Sequence, residues 1–153
     1  MRRPNSKFKI RDSKLGPRTS EQSAAEGNKV VRISDPEIVK RTFEFAVRNA
    51  KLCMFLGNKP GASRTLGNQL LRSGTSIGAN VEESQSAAST ADFVNKLTIA
   101  LKEARETCYW LRLLSAADVV DKKRLAPLTQ EASEIAKILG AIIVSKKRNE
   151  QAV

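Results

Sequence analysis

Histidine is absent from the 153 residues. Its absence removes the commonest general base and the commonest metal ligand together. There are only two cysteines, Cys53 and Cys108, and they form no Cys-x-x-Cys pair. Both fall in apolar stripes of helical spacing, so they read as buried thiols in a reducing compartment rather than as a disulfide. Aromatics are sparse at 5%, which favours Leu/Ile/Ala helix packing over a sheet. No apolar run approaches the roughly 20 residues of a membrane span. The first eleven residues carry charge but lead into no apolar segment, so they do not read as a secretory signal. The expectation is a cytoplasmic protein with no membrane partner.

The length suits one domain with a single sizeable core. Lys and Arg outnumber Asp and Glu by 27 to 16, a net charge of +11, and the pI is near 10.1. The excess is uneven. Residues 1–32 hold nine basic and three acidic side chains, a net of +6, and the rest of the chain supplies +5. That first segment mixes Arg, Lys, Ser, Pro and Gly without apolar period, so residues 1–33 are expected to be a disordered basic tail. A polyanion partner and a solubilising role are both open for it.

From residue 34 the pattern becomes helical. Ser34-Asp35-Pro36-Glu37 supplies a cap, a first-turn proline and a glutamate three residues on. The helix is expected to run to about Leu56, before Gly57-Asn58-Lys59-Pro60-Gly61. One face carries Ile38, Thr42, Phe45, Asn49, Leu52 and Leu56. A second, heptad-like seam carries Phe43, Val47, Ala50 and Met54, which implies more neighbours than one bundle edge supplies. A second helix is expected over about Ala62 to Ala87. Leu66, Leu70, Ser73, Ile77 and Val81 share one face of it, with Gly67, Gly74 and Gly78 on an adjoining stripe. Each helix-interior glycine costs about 1 kcal/mol relative to alanine, so three on one side call for a closely approaching backbone. Ser73 and Asn80 flank that face, where each could hydrogen-bond to a neighbouring helix. Ser89-Thr90-Ala91-Asp92 reads as the next cap, opening a third helix that ends near Ala117. Its core face is expected at Phe93, Leu97, Ala100, Leu101, Ala104, Cys108, Leu111 and Ser115. A fourth helix over roughly 123–148 packs through Leu125, Leu128, Ala132, Ile135, Leu139 and Ile142. No stretch alternates like a strand. The fold class is therefore all-α, an up-down-up-down antiparallel four-helix bundle over residues 34–148.

Few residue groups suggest chemistry. Glu82 and Glu83 are adjacent and so point about 100° apart on a helix, which keeps them from sharing a proton. Glu103 and Glu106 lack the histidine that a di-iron bundle requires. No phosphate-cradling glycine loop is present. The expectation is no catalytic site, no metal and no cofactor. Lys40, Arg41, Arg48 and Lys51 form a basic stripe that could track phosphates, and no aromatic or zinc motif is there to read bases. Ile99, Trp110 and Leu113 lie on one side of the third helix, almost opposite its expected core face, and mark a candidate self-association patch.

The run Leu70-Leu71-Arg72-Ser73-Gly74-Thr75-Ser76-Ile77-Gly78-Ala79-Asn80-Val81-Glu82-Glu83 resembles the signature of a bacterial four-helix-bundle family. Its founding members are encoded in intervening sequences of large-subunit ribosomal RNA genes. Asp92-Phe93-Val94-Asn95-Lys96-Leu97 and the segment 100–111 are similar to that family's third helix. The resemblance spans roughly residues 35–145 and leaves out the basic tail. It implies an antiparallel bundle assembled into a ring, typically a homopentamer, with no established enzymatic activity. A distant relative is the accessory variability protein of diversity-generating retroelements, which binds nucleic acid and a reverse transcriptase. The functional expectation is a non-enzymatic, self-associating bundle that binds RNA or DNA through phosphate contacts. The alternative is a protein-interaction scaffold without nucleic acid.

Overall fold

The computed structural model describes residues 36–151, the last by its backbone alone. The expected tail and the Ser34 cap lie outside the described residues. Four helices follow in order: α1 (Pro36–Gly57), α2 (Ala62–Ser84), α3 (Thr90–Ala116) and α4 (Lys122–Gln151). Among the described residues there is no strand. Each helix packs on its neighbour in sequence and α4 returns to α1 over a shorter seam, while the diagonal pairs do not meet. Short turns force each helix to run against the one before it. The result is an up-down-up-down bundle.

The turns follow from local chemistry. Gln85, Ser86 and Ala87 each donate a backbone bond to the residue three before, so the chain tightens beyond Ser84 and α2 stops short of the expected Ala87. Ser89 Oγ then accepts the Asp92 amide at 3.1 Å, and Asp92 Oδ2 accepts the Ala88 amide at 3.2 Å. This reciprocal cap opens α3. At its far end Asp118 adopts φ 53°, and Val119 N–H reaches back to the Leu114 carbonyl at 3.0 Å. That is the Schellman closure, made here with aspartate instead of glycine. Asp121 Oδ1 accepts the Lys123 amide at 2.8 Å and starts α4. Pro127 sits inside α4. It leaves the Lys123 carbonyl without its usual donor, yet the helix continues.

The core is aliphatic: Leu52, Leu56, Leu70, Ile77, Leu111, Leu114, Leu128, Ile135 and Leu139 are almost wholly buried around Phe45. A polar thread runs through it, since Thr42, Asn49, Ser73 and Thr107 are equally inaccessible. Asn49 of α1 donates from Nδ2 to the Leu70 carbonyl of α2 at 2.9 Å. Ser73 and Thr107 hydrogen-bond each other across α2 and α3 at 3.0 Å. Asn80 makes no such crossing. Its amide donates instead to the Ser76 carbonyl one turn back in its own helix, at 2.8 Å.

The glycines sit where α1 presses on α2. A Cβ on Gly74 would lie 2.0 Å from Asn49 Nδ2, and one on Gly67 would lie 3.0 Å from Leu56 Cβ. On Gly78 it would meet the Thr42 carbonyl oxygen at 3.4 Å, an ordinary contact. Gly74 is thus the position where absence of a side chain matters most, because the amide it would strike is buried and hydrogen-bonded. In α3 the core face differs from the one expected. Val94, Thr107 and Leu114 are buried, while Leu101, Cys108 and Ser115 are only half-buried. The helix is rotated toward α2, because it must fill the space beside that helix's small residues.

Gly74→Ala should lower unfolding free energy by about 1–3 kcal/mol, the range for overpacking a core. Gly140→Ala, where an added Cβ meets nothing within 4 Å, should raise it by about 0.5–1 kcal/mol through helix propensity. Denaturant melts of the two variants check this; similar effects at both sites would contradict the packing described.

Candidate interaction surfaces

The four basic residues of α1 do not form one free stripe. Arg41 turns toward α4, where Nε and Nη2 engage Glu131 at 2.6 and 3.1 Å and Nη2 also meets Glu134. The fork of the guanidinium matches this pair of carboxylates, one turn apart on α4. Glu131's hydrogen bond holds the Arg41 cation well above its ordinary range, against the opposing effect of burial. Glu134's carboxyl is held below the usual range by Gln130's hydrogen bond and by Arg41. Arg41 therefore closes the bundle, and only Lys40 and Lys51 are exposed, with Glu44 at 4.0 Å from Lys40. Arg48 is half-buried, and its Nε has no hydrogen-bond partner among the described residues.

The second seam of α1 faces outward. Phe43 is 61% exposed, Val47 38% and Met54 72%. Their spacings of four and seven keep them on one ridge, opposite the buried Phe45, Asn49 and Leu52. Beside Phe43 an open, mostly apolar hollow of about 590 Å³ is lined by Pro36 and Val39 of α1 and Glu82 and Gln85 of α2. Three large apolar side chains exposed along one helix ridge make a candidate contact surface.

The expected α3 patch is placed differently. Ile99, Trp110 and Leu113 are each half-buried and sit on the flank of α3 rather than opposite its core face. Trp110 packs against the core and donates Nε1–H to Glu106 at 3.0 Å. With the core face rotated toward α2, tryptophan falls at its edge. The outward aromatic is Tyr109, 49% exposed and stacked edge-on to Trp110 at 4.9 Å.

Nothing among these residues assembles a reaction centre. Glu83 pairs with Lys96 at 2.5 Å, away from Glu82. Glu103 is raised above the ordinary carboxylate range by burial and then by Glu106, with Arg72 opposing. Among the described residues no cluster of His, Cys, Asp or Glu could hold a metal ion. Both cysteines are free. Burial pushes the Cys53 thiol up to about 12, which leaves it inert at neutral pH. No helix among the described residues is long and apolar enough to cross a membrane.

A helical bundle with this glycine-lined first seam narrows the candidates, and one family model decides. The model of the 23S rRNA-intervening sequence protein matches residues 34–141. The chain belongs to that family. A crystal structure of a protein of unknown function from the S23 ribosomal protein family of Bacteroides thetaiotaomicron is similar to it, with 44% identity and a TM-score of 0.65. The match covers 69% of this chain and 97% of that one. No curated protein matches. In this intervening-sequence protein the family match begins just ahead of α1 and ends within α4, so the basic first segment lies outside it.

Removing the α1–α4 clamp with Arg41→Ala should lower stability at neutral pH by about 1–2 kcal/mol, discounted because the pair is partly solvated. Glu134 titrates lower in the folded chain than unfolded, so its share is present above about pH 4.5 and lost as pH falls below it. The gap between the original chain and the variant should therefore narrow in acid. Urea melts from pH 7 to 3 read this directly, and a gap constant across that range would contradict it.

Proposed function

We propose that this intervening-sequence protein is a non-catalytic, cytoplasmic bundle that self-associates into a ring of five and binds nucleic acid through phosphate contacts. The observation that carries self-association is the outward ridge of Phe43, Val47 and Met54. Each exposed apolar Å² that a second copy covers contributes about 25 cal/mol, and a heptad ridge offers that area in a continuous strip. The half-exposed edges of Ile99, Trp110 and Leu113 add a smaller second surface. Five copies is the number the family resemblance implies. Nucleic-acid binding is supported by the net charge of +11 and by the exposed Lys40 and Lys51.

The scaffold alternative keeps one observation in its favour. Arg41 is committed inside the bundle, so the α1 stripe offers fewer cations than its sequence promises. A protein partner that stays bound after nuclease treatment would favour that reading, and a reverse transcriptase is a candidate.

Two measurements test the proposal. In multi-angle light scattering, Phe43→Asp and Met54→Asp should shift the mass to that of a monomer, whereas Trp110→Ala should shift it less. An unchanged mass in both aspartate variants would remove the α1 ridge as the interface. Binding to RNA and DNA should weaken steeply between about 50 and 200 mM salt, as displaced counterions require. Salt-insensitive or absent binding would overturn the nucleic-acid half.

A further inference from the structure

The second groove of the bundle lies between α3 and α4, far from the α1 ridge in sequence. It is open, encloses about 650 Å³, and carries Arg105 and Arg112 on one wall and Lys137 on the other. No carboxylate lines it. None of the three cations is in an ion pair among the described residues. Glu134, one turn from Lys137, feels its charge but forms its ion pair with Arg41 of α1. The floor, Leu101 and Ala136, is apolar, and the Thr129 and Ser133 hydroxyls sit beside it.

Gly140 supplies an independent observation. It lies within α4 and lines this groove, and a Cβ there would meet nothing within 4 Å. The α2 glycines make room for α1, but Gly140 makes room for nothing among the described residues. A helix-interior glycine costs about 1 kcal/mol against alanine. Its bare backbone leaves the groove wall open to close approach from outside.

We propose that this groove is where the protein holds the phosphate backbone of a nucleic-acid strand, which deepens the phosphate-binding reading above and rests on it. Arg105 and Arg112 are two helical turns apart, a rise of about 10.5 Å. A strand advances about 3.4 Å per nucleotide, so the two guanidinium groups span about three steps of one backbone. Lys137 meets the strand from the opposite wall as a compact third charge. The floor has no aromatic side chain, so nothing stacks on bases and the grip is indifferent to sequence. A phosphate backbone fits this lining better than an apolar or cationic occupant does, because three cations line it and no carboxylate does.

The test uses the assembled full chain and a fluorescent oligothymidylate in anisotropy titrations across a salt series. The groove variant is Arg105→Gln/Arg112→Gln/Lys137→Gln. The control, Arg64→Gln/Lys122→Gln/Lys123→Gln, removes the same charge from exposed positions elsewhere. The groove variant should lose at least about tenfold in affinity, and its slope of log K against log salt should shrink by about 2, near 0.7 per lost contact. The control should change both by less. Gly140→Leu keeps every charge and fills the groove, and it should weaken binding at every salt. Equal changes in the groove and control variants, or full affinity in Gly140→Leu, would overturn the groove while leaving nucleic-acid binding intact. No binding by the unaltered chain would overturn the underlying reading instead.

Discussion

One contact sets the distance between α1 and α2: the Asn49 side-chain amide reaching the Leu70 carbonyl at 2.9 Å. A side chain on α1 can touch the backbone of α2 only if nothing projects between them. Gly74 provides that gap, since a Cβ there would fall 2.0 Å from the donating nitrogen. The arrangement is held despite a cost. Asn49 Oδ1 is buried without a partner, a loss on the order of 1–3 kcal/mol. A polar group kept in a largely aliphatic core defines one register of α1 on α2, because sliding either helix by a turn would strand the amide.

The rest of the bundle follows from that spacing. With α1 drawn against α2, the wide apolar arc of α1 divides. Phe45, Asn49 and Leu52 go inward, and Phe43, Val47 and Met54 are left outside. Ser73, on the other flank of α2, meets Thr107 and turns α3 toward it. That rotation carries Trp110 to the edge of the core and swings Arg105 and Arg112 to the α4 side. Arg41 then ties α1 to α4 through Glu131 and Glu134. The interior is left closely packed, and the outer faces include an apolar ridge on α1 and a cationic groove between α3 and α4.

Much of this architecture can be read from local residues. Helix starts and stops depend on neighbours in the chain, so Ser89 with Asp92 and the Gly57–Gly61 break are visible at once. Periodicity gives each helix its apolar face, but not the centre of that face when a helix has neighbours on two sides. That is why the α3 core lies closer to Thr107 and Leu114 than its pattern suggests, and why Trp110 is half-buried. Pairing is invisible for a different reason. Arg41 and its partners are 90 and 93 residues apart, so a cation that reads as a surface charge is a strut. The groove cations are hidden in the same way, because only the antiparallel packing of α3 and α4 brings Lys137 into one groove with Arg105 and Arg112. Asn80 illustrates the reverse case: a polar residue on a seam satisfied by its own helix.

The dependence of the fold on the Asn49–Gly74 contact is most directly read by a double-mutant cycle. Unfolding free energies of Asn49→Ala, Gly74→Ala and the combined variant would be compared with those of the unaltered chain. Removing the asparagine side chain clears the space a new methyl needs, so the combined loss should fall short of the sum by at least about 1 kcal/mol. Losses that add within about 0.5 kcal/mol would mean the two residues do not meet as described, and that something else spaces α1 from α2.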